Sequence, residues 1–184
     1  MTELPVTQRL MLRPFVPGDL DFLITLNANP EVVRFTGGPK NRNETKTMLH
    51  ERILDYYKRY PGLGVWVTQE KLSGKSIGMH LLNHIRGEAF IQVGYILLPE
   101  YWGYGYATEM STALLRYGFT VLGLKQIVGI TDLANLGSQR VLLKSGLKRQ
   151  GERSFSHPSY ATQGLLAWFE RDVSDWLAEY AASV

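Results

Sequence analysis

Residues 97–109 read Leu97-Leu98-Pro99-Glu100-Tyr101-Trp102-Gly103-Tyr104-Gly105-Tyr106-Ala107-Thr108-Glu109. The apolar run Val93 to Leu98 stops at Pro99-Glu100, two glycines follow one residue apart, and a helical pattern starts at the small residue Ala107. A helix N-terminus leaves its first amides unpaired and carries about half a positive charge. Glycines let that backbone approach a phosphate or pyrophosphate. A tight strand-to-helix turn with no ligand has the same composition, so the glycines alone do not decide. Two phosphate motifs are excluded. A P-loop needs Gly-Lys-Ser or Gly-Lys-Thr, and Gly105 is followed by Tyr106-Ala107. A dinucleotide fingerprint needs a small third residue where Thr108 stands, and a strand from a βαβ unit rather than from a hairpin.

Upstream, Leu10 to Pro14 predicts an opening strand. Asp19 is the expected cap of a first helix whose apolar face is Leu20, Leu23, Ile24 and Leu26, ending near Asn29-Pro30. Thr36 to Asn43 reads as a polar loop, and Asn43 or Thr45 as the cap of a second helix reaching Pro61-Gly62. Three strands follow, from Val65, from Ile77 to Ile85 and from Ala89 to Leu98. Their connections are short enough for an antiparallel meander. Downstream come a helix from about Ala107 to Leu122 with Gly123 past its end, a strand from Gln126 to Thr131, and a short helix opening at Asn135. Two strands near 147–155 and 162–170 and a last helix from about Asp172 complete the order β-α-α-β-β-β-α-β-α-β-β-α. That order predicts a mixed α/β (α+β) fold.

The chain has 184 residues, 45% hydrophobic and 20% charged, with twenty Lys and Arg against seventeen Asp and Glu. That length fits one domain over 1–184 with a substantial core. With no cysteine there is no disulfide framework, zinc ribbon, Fe–S cluster or cysteine nucleophile. No apolar run approaches the ~18–20 residues of a membrane span, and no signal peptide is evident. The expectation is therefore a cytoplasmic protein with no membrane partner. The net charge of +3 comes without any run of five like charges, so nucleic acid is not an expected partner. His80 and His84 fall on one strand, about 13 Å apart on one face, which is too far for a shared ion, and no metal is expected. His50 and His157 read as surface residues. Trp66, Trp168 and Trp176 read as core, and Glu109 as a carboxylate favoured by the helix dipole.

Four blocks in order resemble the GNAT acyltransferases, and within them the ribosomal-protein-alanine N-acetyltransferase-like (RimJ/RimL-like) branch. They are Thr7 to Pro14, Asn29 to Phe35, Trp102 to Glu109, and Asn135-Leu136-Gly137-Ser138 through Lys144-Ser145-Gly146-Leu147. The resemblance spans nearly the whole chain. It implies the GNAT fold, a mostly antiparallel twisted sheet with helices on both faces, and acetyl-CoA as cosubstrate. It implies that backbone groups of Ile96, Leu97 and Leu98 pair with the pantetheine arm. Amides of Trp102, Gly103, Tyr104, Gly105, Tyr106 and Ala107 then hold the pyrophosphate. Asn135 bonds the pantetheine, Ser138 lies by the thioester sulfur, and Arg140 and Lys144 either contact distal phosphates or are simply solvated. Trp102 stands where the wider family often has Gln or Arg, so a side-chain contact to phosphate is lost there.

The implied reaction is direct attack of an amine on the acetyl thioester. It needs a neutral amine, an oxyanion donor and a proton for the leaving thiolate. Strand amides near Leu97 suit the oxyanion, and Ser138 is the one match to the family's proton donor. The branch often reads Glu-Ile-Gly where this chain has Gln92-Val93-Gly94. An α-amine is roughly one-tenth neutral at pH 7, a lysine amine about one part in several thousand. A site short of a base therefore favours a protein N-terminal α-amine, unless water relays to Glu88 or His80. The alternatives are a small amine such as a polyamine, amino acid or antibiotic, and an acyl-CoA sensor without turnover. The oligomeric expectation is a monomer or homodimer.

Overall fold

In a computed structural model, residues 3–182 are described. Seven strands form one sheet: β1 (Leu10–Pro14), β2 (Gly64–Glu70), β3 (Ser76–His84), β4 (Ile91–Leu97), β5 (Gln126–Asp132), β6 (Lys148–Arg153) and β7 (Leu166–Asp172). Their spatial order is β1-β2-β3-β4-β5-β7-β6. Every neighbouring pair is antiparallel except β4 and β5, which run parallel. The helices are α1 (Leu20–Ala28), α2 (Arg42–Thr47), a π-helical segment (Met48–Leu54), α3 (Asp55–Arg59), α4 (Tyr106–Thr120), α5 (Leu136–Lys144) and α6 (Val173–Ala182). The element order is the one expected, on the expected mixed α/β architecture.

Alternation along the strands sends side chains to two cores. On one face Leu10, Leu12, Trp66, Ile77, Leu82 and Val93 meet Met110, Leu114 and Leu115 of α4. On the other, Val65, Val67 and Met79 meet Leu23 and Leu26 of α1 and Leu49 and Ile53 of the π segment. Farther along that second face, Ile85, Val128 and Trp168 lie beneath Phe155 and Tyr160. Trp66 and Trp168 are core residues as expected, and Trp176 packs against the first core partly buried. The outermost strand β6 reads Lys-Arg-Gln-Gly-Glu-Arg, exposed throughout and bulged between Arg149 and Gly151, features that keep a sheet edge from pairing with other chains.

Three local expectations are corrected. Asp19 makes no side-chain cap on α1. Its carboxylate instead takes both Arg13 guanidinium nitrogens at 2.8 Å and the Val16 amide, and the Arg13 bond holds its pKa below the usual range. The second helix is capped by Asn41, whose Oδ1 accepts the Glu44 amide while Glu44 reaches back to the Asn41 amide. Thr45 is buried beside Asn27. His157 is half-buried, its Nδ1 accepting the Ser159 amide.

Candidate active site

The parallel pair β4 and β5 touches in register only at Gln92↔Val128. Beyond that point the strands part toward Leu97 and Asp132, leaving a wedge. A cleft of about 560 Å³ opens there, the size of a small-ligand site. It is lined by Tyr95, Ile96 and Leu97, by Trp102, Gly103, Gly105, Tyr106 and Ala107, and by Asn135 and Ser138. Arg34, Arg140 and Lys144 stand exposed at its edge, a cationic rim suited to phosphates.

The strand register decides which backbone groups are free. The Leu98 amide donates to Ile77 O, so Leu98 is bonded to β3. Antiparallel pairs alternate between bonded and unbonded partners, and the 2-residue period turns Ile96 toward β3 as well. The groups facing the wedge are those of Tyr95 and Leu97. The expectation that Ile96 and Leu98 share in pantetheine pairing is thus corrected, and Leu98 does not line the cleft. Leu97 O also accepts Trp102 Nε1 at 2.8 Å, so the indole braces the strand end.

Gly103 and Gly105 have φ of +81° and +80°, in the left-handed region open to glycine. They turn the chain so that the first residues of α4, Tyr106, Ala107 and Thr108, line the cleft. The loop is locked from behind. Arg9 Nε donates to Glu109 Oε2 at 2.6 Å, Arg9 Nη1 to Tyr104 O at 3.0 Å, and its guanidinium covers the Tyr106 ring. Thr7 Oγ1 donates to Glu109 Oε1. Burial alone would raise the Glu109 pKa, but its bonds from Thr7 and Arg9 outweigh this and hold it low. Glu109 is a brace, consistent with its non-catalytic reading. Tyr104 stacks on Tyr106 and is largely exposed, outside the cleft lining.

Asn135 caps α5, its Oδ1 accepting the Ser138 amide at 3.0 Å. Ser138 and Tyr95 both line the cleft. Burial pushes the Tyr95 pKa up, and the Ser138 side chain opposes the rise. Sequence reading missed Tyr95. Its signal is parity, since it shares a face with the core residues Val93 and Leu97 yet carries a hydroxyl. His80, directly opposite Tyr95 in the β3–β4 register, lies ring to ring with it at 5.7 Å. It is fully buried, bonded to Thr68 Oγ1 at 2.6 Å, with no hydrogen-bond partner at Nε2. Burial drives its pKa down to about 3, opposed by the Ala107 backbone. His80 faces the α4 core, on the sheet face opposite Gln92.

On the opposite face of β4, the Gln92 amide donates to Asn83 Oδ1 at 3.3 Å. Gln92, Val128 and Glu170 are in register across β4, β5 and β7. Glu170 is therefore a carboxylate on the Gln92 face, two strands and roughly 9–10 Å away, its Oε2 accepting Trp168 Nε1. Glu88 is exposed in the hairpin turn after β3. Within the loop between α1 and α2, Thr36 lines the cleft, while the Lys40 amide is tied to Asn27 O and the Gly38 amide to Val33 O. Among the described residues, no helix is long and apolar enough to cross a membrane.

Residues 9–148 match the family model described as "Acetyltransferase (GNAT) domain". The uncharacterized N-acetyltransferase YoaA of Bacillus subtilis is 31% identical over 150 residues, covering 79% of this chain and 82% of that protein. In fold, the spermidine N-acetyltransferase of Vibrio cholerae, solved with CoA and spermine, superposes with a TM-score of 0.72 at 21% identity, covering 92% of this chain and 98% of that one. The ribosomal-protein-S5-alanine acetyltransferase of Vibrio fischeri does so at 0.72 and 18%, covering 95% and 99%. A strand wedge, a glycine-turned helix N-terminus and a cationic rim fit a CoA thioester, and with the family match they place this chain among the GNAT acetyltransferases, acyl-CoA-dependent enzymes whose cosubstrate is acetyl-CoA.

Proposed function

We propose that the protein transfers the acetyl group of acetyl-CoA directly to a protein N-terminal α-amine. The observation that carries this reading is the amide pair Gln92–Asn83 at the wedge apex, where a carboxylate would be needed to deprotonate a lysine-like amine. An α-amine reaches the thioester already neutral in roughly one molecule in ten at pH 7. Gly103 to Ala107 hold the diphosphate through main-chain amides, Asn135 and the Tyr95 and Leu97 backbone align the pantetheine, and Arg140 and Lys144 meet the distal phosphates. The Leu97 amide stabilises the tetrahedral oxyanion. Ser138 donates the proton that leaves with the thiolate, and Tyr95 orients the Ser138 hydroxyl.

Similarity to spermidine acetyltransferases supports a second reading, a polyamine acceptor. The test is thiol release from acetyl-CoA over a panel of free-amine peptides, lysine side-chain amines and spermidine, with mass spectrometry locating the acetyl group. Acetylation of α-amines, with lysine amines at least about a hundredfold slower at pH 7, is expected from the neutral fractions alone. A preference for lysine or spermidine overturns the proposal, and CoA binding without thiol release for any amine in the panel supports the sensor alternative.

A further inference from the structure

Arg9 stands behind the glycine loop and is absent from the cleft lining. Its Nη1 donates to Tyr104 O at 3.0 Å, across 95 residues of sequence. The Tyr104–Gly105 peptide is trans, and in a trans peptide the carbonyl and the N–H point in opposite directions. A guanidinium that draws the Tyr104 oxygen toward itself therefore turns the Gly105 N–H away from itself. Gly105 lines the cleft. Among the described residues, the amides of Gly103, Tyr104 and Gly105 have no acceptor, so all three are open to a ligand.

Arg9 is itself held by Glu109. Its Nε and Nη2 both reach Glu109 Oε2 at 2.6 Å, and its amide reaches Oε1 at 3.0 Å. Thr7 Oγ1 fills the remaining side of that carboxylate at 2.6 Å. The Tyr106 ring, 4.5 Å from the guanidinium carbon, is fixed in turn by its hydroxyl, which donates to Glu70 Oε1 at 2.6 Å. Glu109 lies in the first turn of α4. A carboxylate there repels a diphosphate arriving at the same helix end, and Arg9 neutralises it. A planar guanidinium can hold a carboxylate on one edge and a carbonyl on another, whereas an ammonium is a point charge.

We propose that Arg9, paired with Glu109, is the positioning residue that aims the Gly105 amide at the diphosphate of CoA. It touches no reacting atom and acts through the Tyr104–Gly105 peptide. The proposal rests on the diphosphate reading of the glycine loop and deepens it, since it makes the segment before β1 part of cofactor recognition. Arg9 does two separable things there. It orients the peptide, and it cancels the Glu109 charge. Loss of Arg9 alone removes both effects, whereas loss of Arg9 and Glu109 together removes only the orientation.

The test is calorimetric titration of the full chain with CoA and with pantetheine, which lacks the diphosphate, the weaker ligand being read by displacement. In the parent, CoA is expected to bind about a hundredfold more tightly than pantetheine. Arg9→Met should raise the CoA dissociation constant about thirtyfold and leave that of pantetheine at the parental value. Arg9→Lys keeps the charge without the fork and should weaken CoA about fivefold. In Arg9→Met/Glu109→Gln, CoA affinity should recover about fivefold over Arg9→Met, because no carboxylate then faces the diphosphate. A merely structural Arg9 weakens both ligands together and gives no recovery in the double variant, and that result overturns the proposal. So does parental CoA affinity in Arg9→Met. Where Arg9→Met fails to fold, Arg9→Lys decides: a loss confined to CoA supports the proposal, and parental CoA affinity or an equal loss for both ligands overturns it. A parent that binds CoA no more tightly than pantetheine refutes the diphosphate reading before any variant is made, and the proposal falls with it.

Discussion

Replacing Gly103 or Gly105 by alanine separates backbone geometry from side-chain chemistry in the diphosphate cradle. An added Cβ meets nothing within 4 Å at Gly103, and at Gly105 only Arg9 Nη2 at an ordinary 3.7 Å. Neither substitution collides with the protein. The cost lies in φ values of +81° and +80°, which disfavour an L-residue by about 1–2 kcal/mol. An alanine variant relieves this strain only by turning its amides away from the diphosphate position, so the penalty is expected on binding. It corresponds to CoA dissociation constants raised about fivefold to thirtyfold in each variant. Gly74→Ala is the control. It has φ of +69° and an open surrounding, but it sits in the β2–β3 turn, away from the cleft lining. It should lower unfolding stability by about 1 kcal/mol and leave CoA binding alone. Calorimetric titration with CoA, paired with urea unfolding, reads both quantities. Parental CoA affinity in Gly103→Ala and Gly105→Ala would refute the claim that these main-chain amides hold the diphosphate.

Ser138→Ala should lower kcat by about a hundredfold and Tyr95→Phe by less, each with CoA affinity little changed; an unaltered kcat in Ser138→Ala removes it as proton donor. His80 has a folded-state pKa of about 3 against 6.5 for the free side chain, so the unfolded chain takes up its proton first as pH falls. Its contribution to stability is complete above about pH 6.5 and declines by about 1.4 kcal/mol per pH unit below it, until about pH 3. Urea unfolding from pH 7.5 to 4.5 should therefore show an acid slope shallower by about one proton in His80→Gln, and equal slopes contradict the assignment. Leu114→Ala, at a fully buried site on α4, should cost about 2–5 kcal/mol in the same assay.

The linear order of residues was enough for the elements and for the glycine turn before α4. Apolar periodicity places β1 to β7 and the helices in the right order, because binary patterning reports which face each segment buries. Gly103-Tyr104-Gly105 before a helix marks a left-handed turn into a helix N-terminus, because turn geometry and unpaired amides are local properties. Gln92 in place of a carboxylate is likewise visible residue by residue. Pairing across distance is not. Whether the Leu98 or the Leu97 amide faces the wedge depends on the β3–β4 register, where a shift of one residue reverses every group. The same register buries His80 under α4 and sets Tyr95 in one cleft with Ser138, 43 residues downstream in the chain.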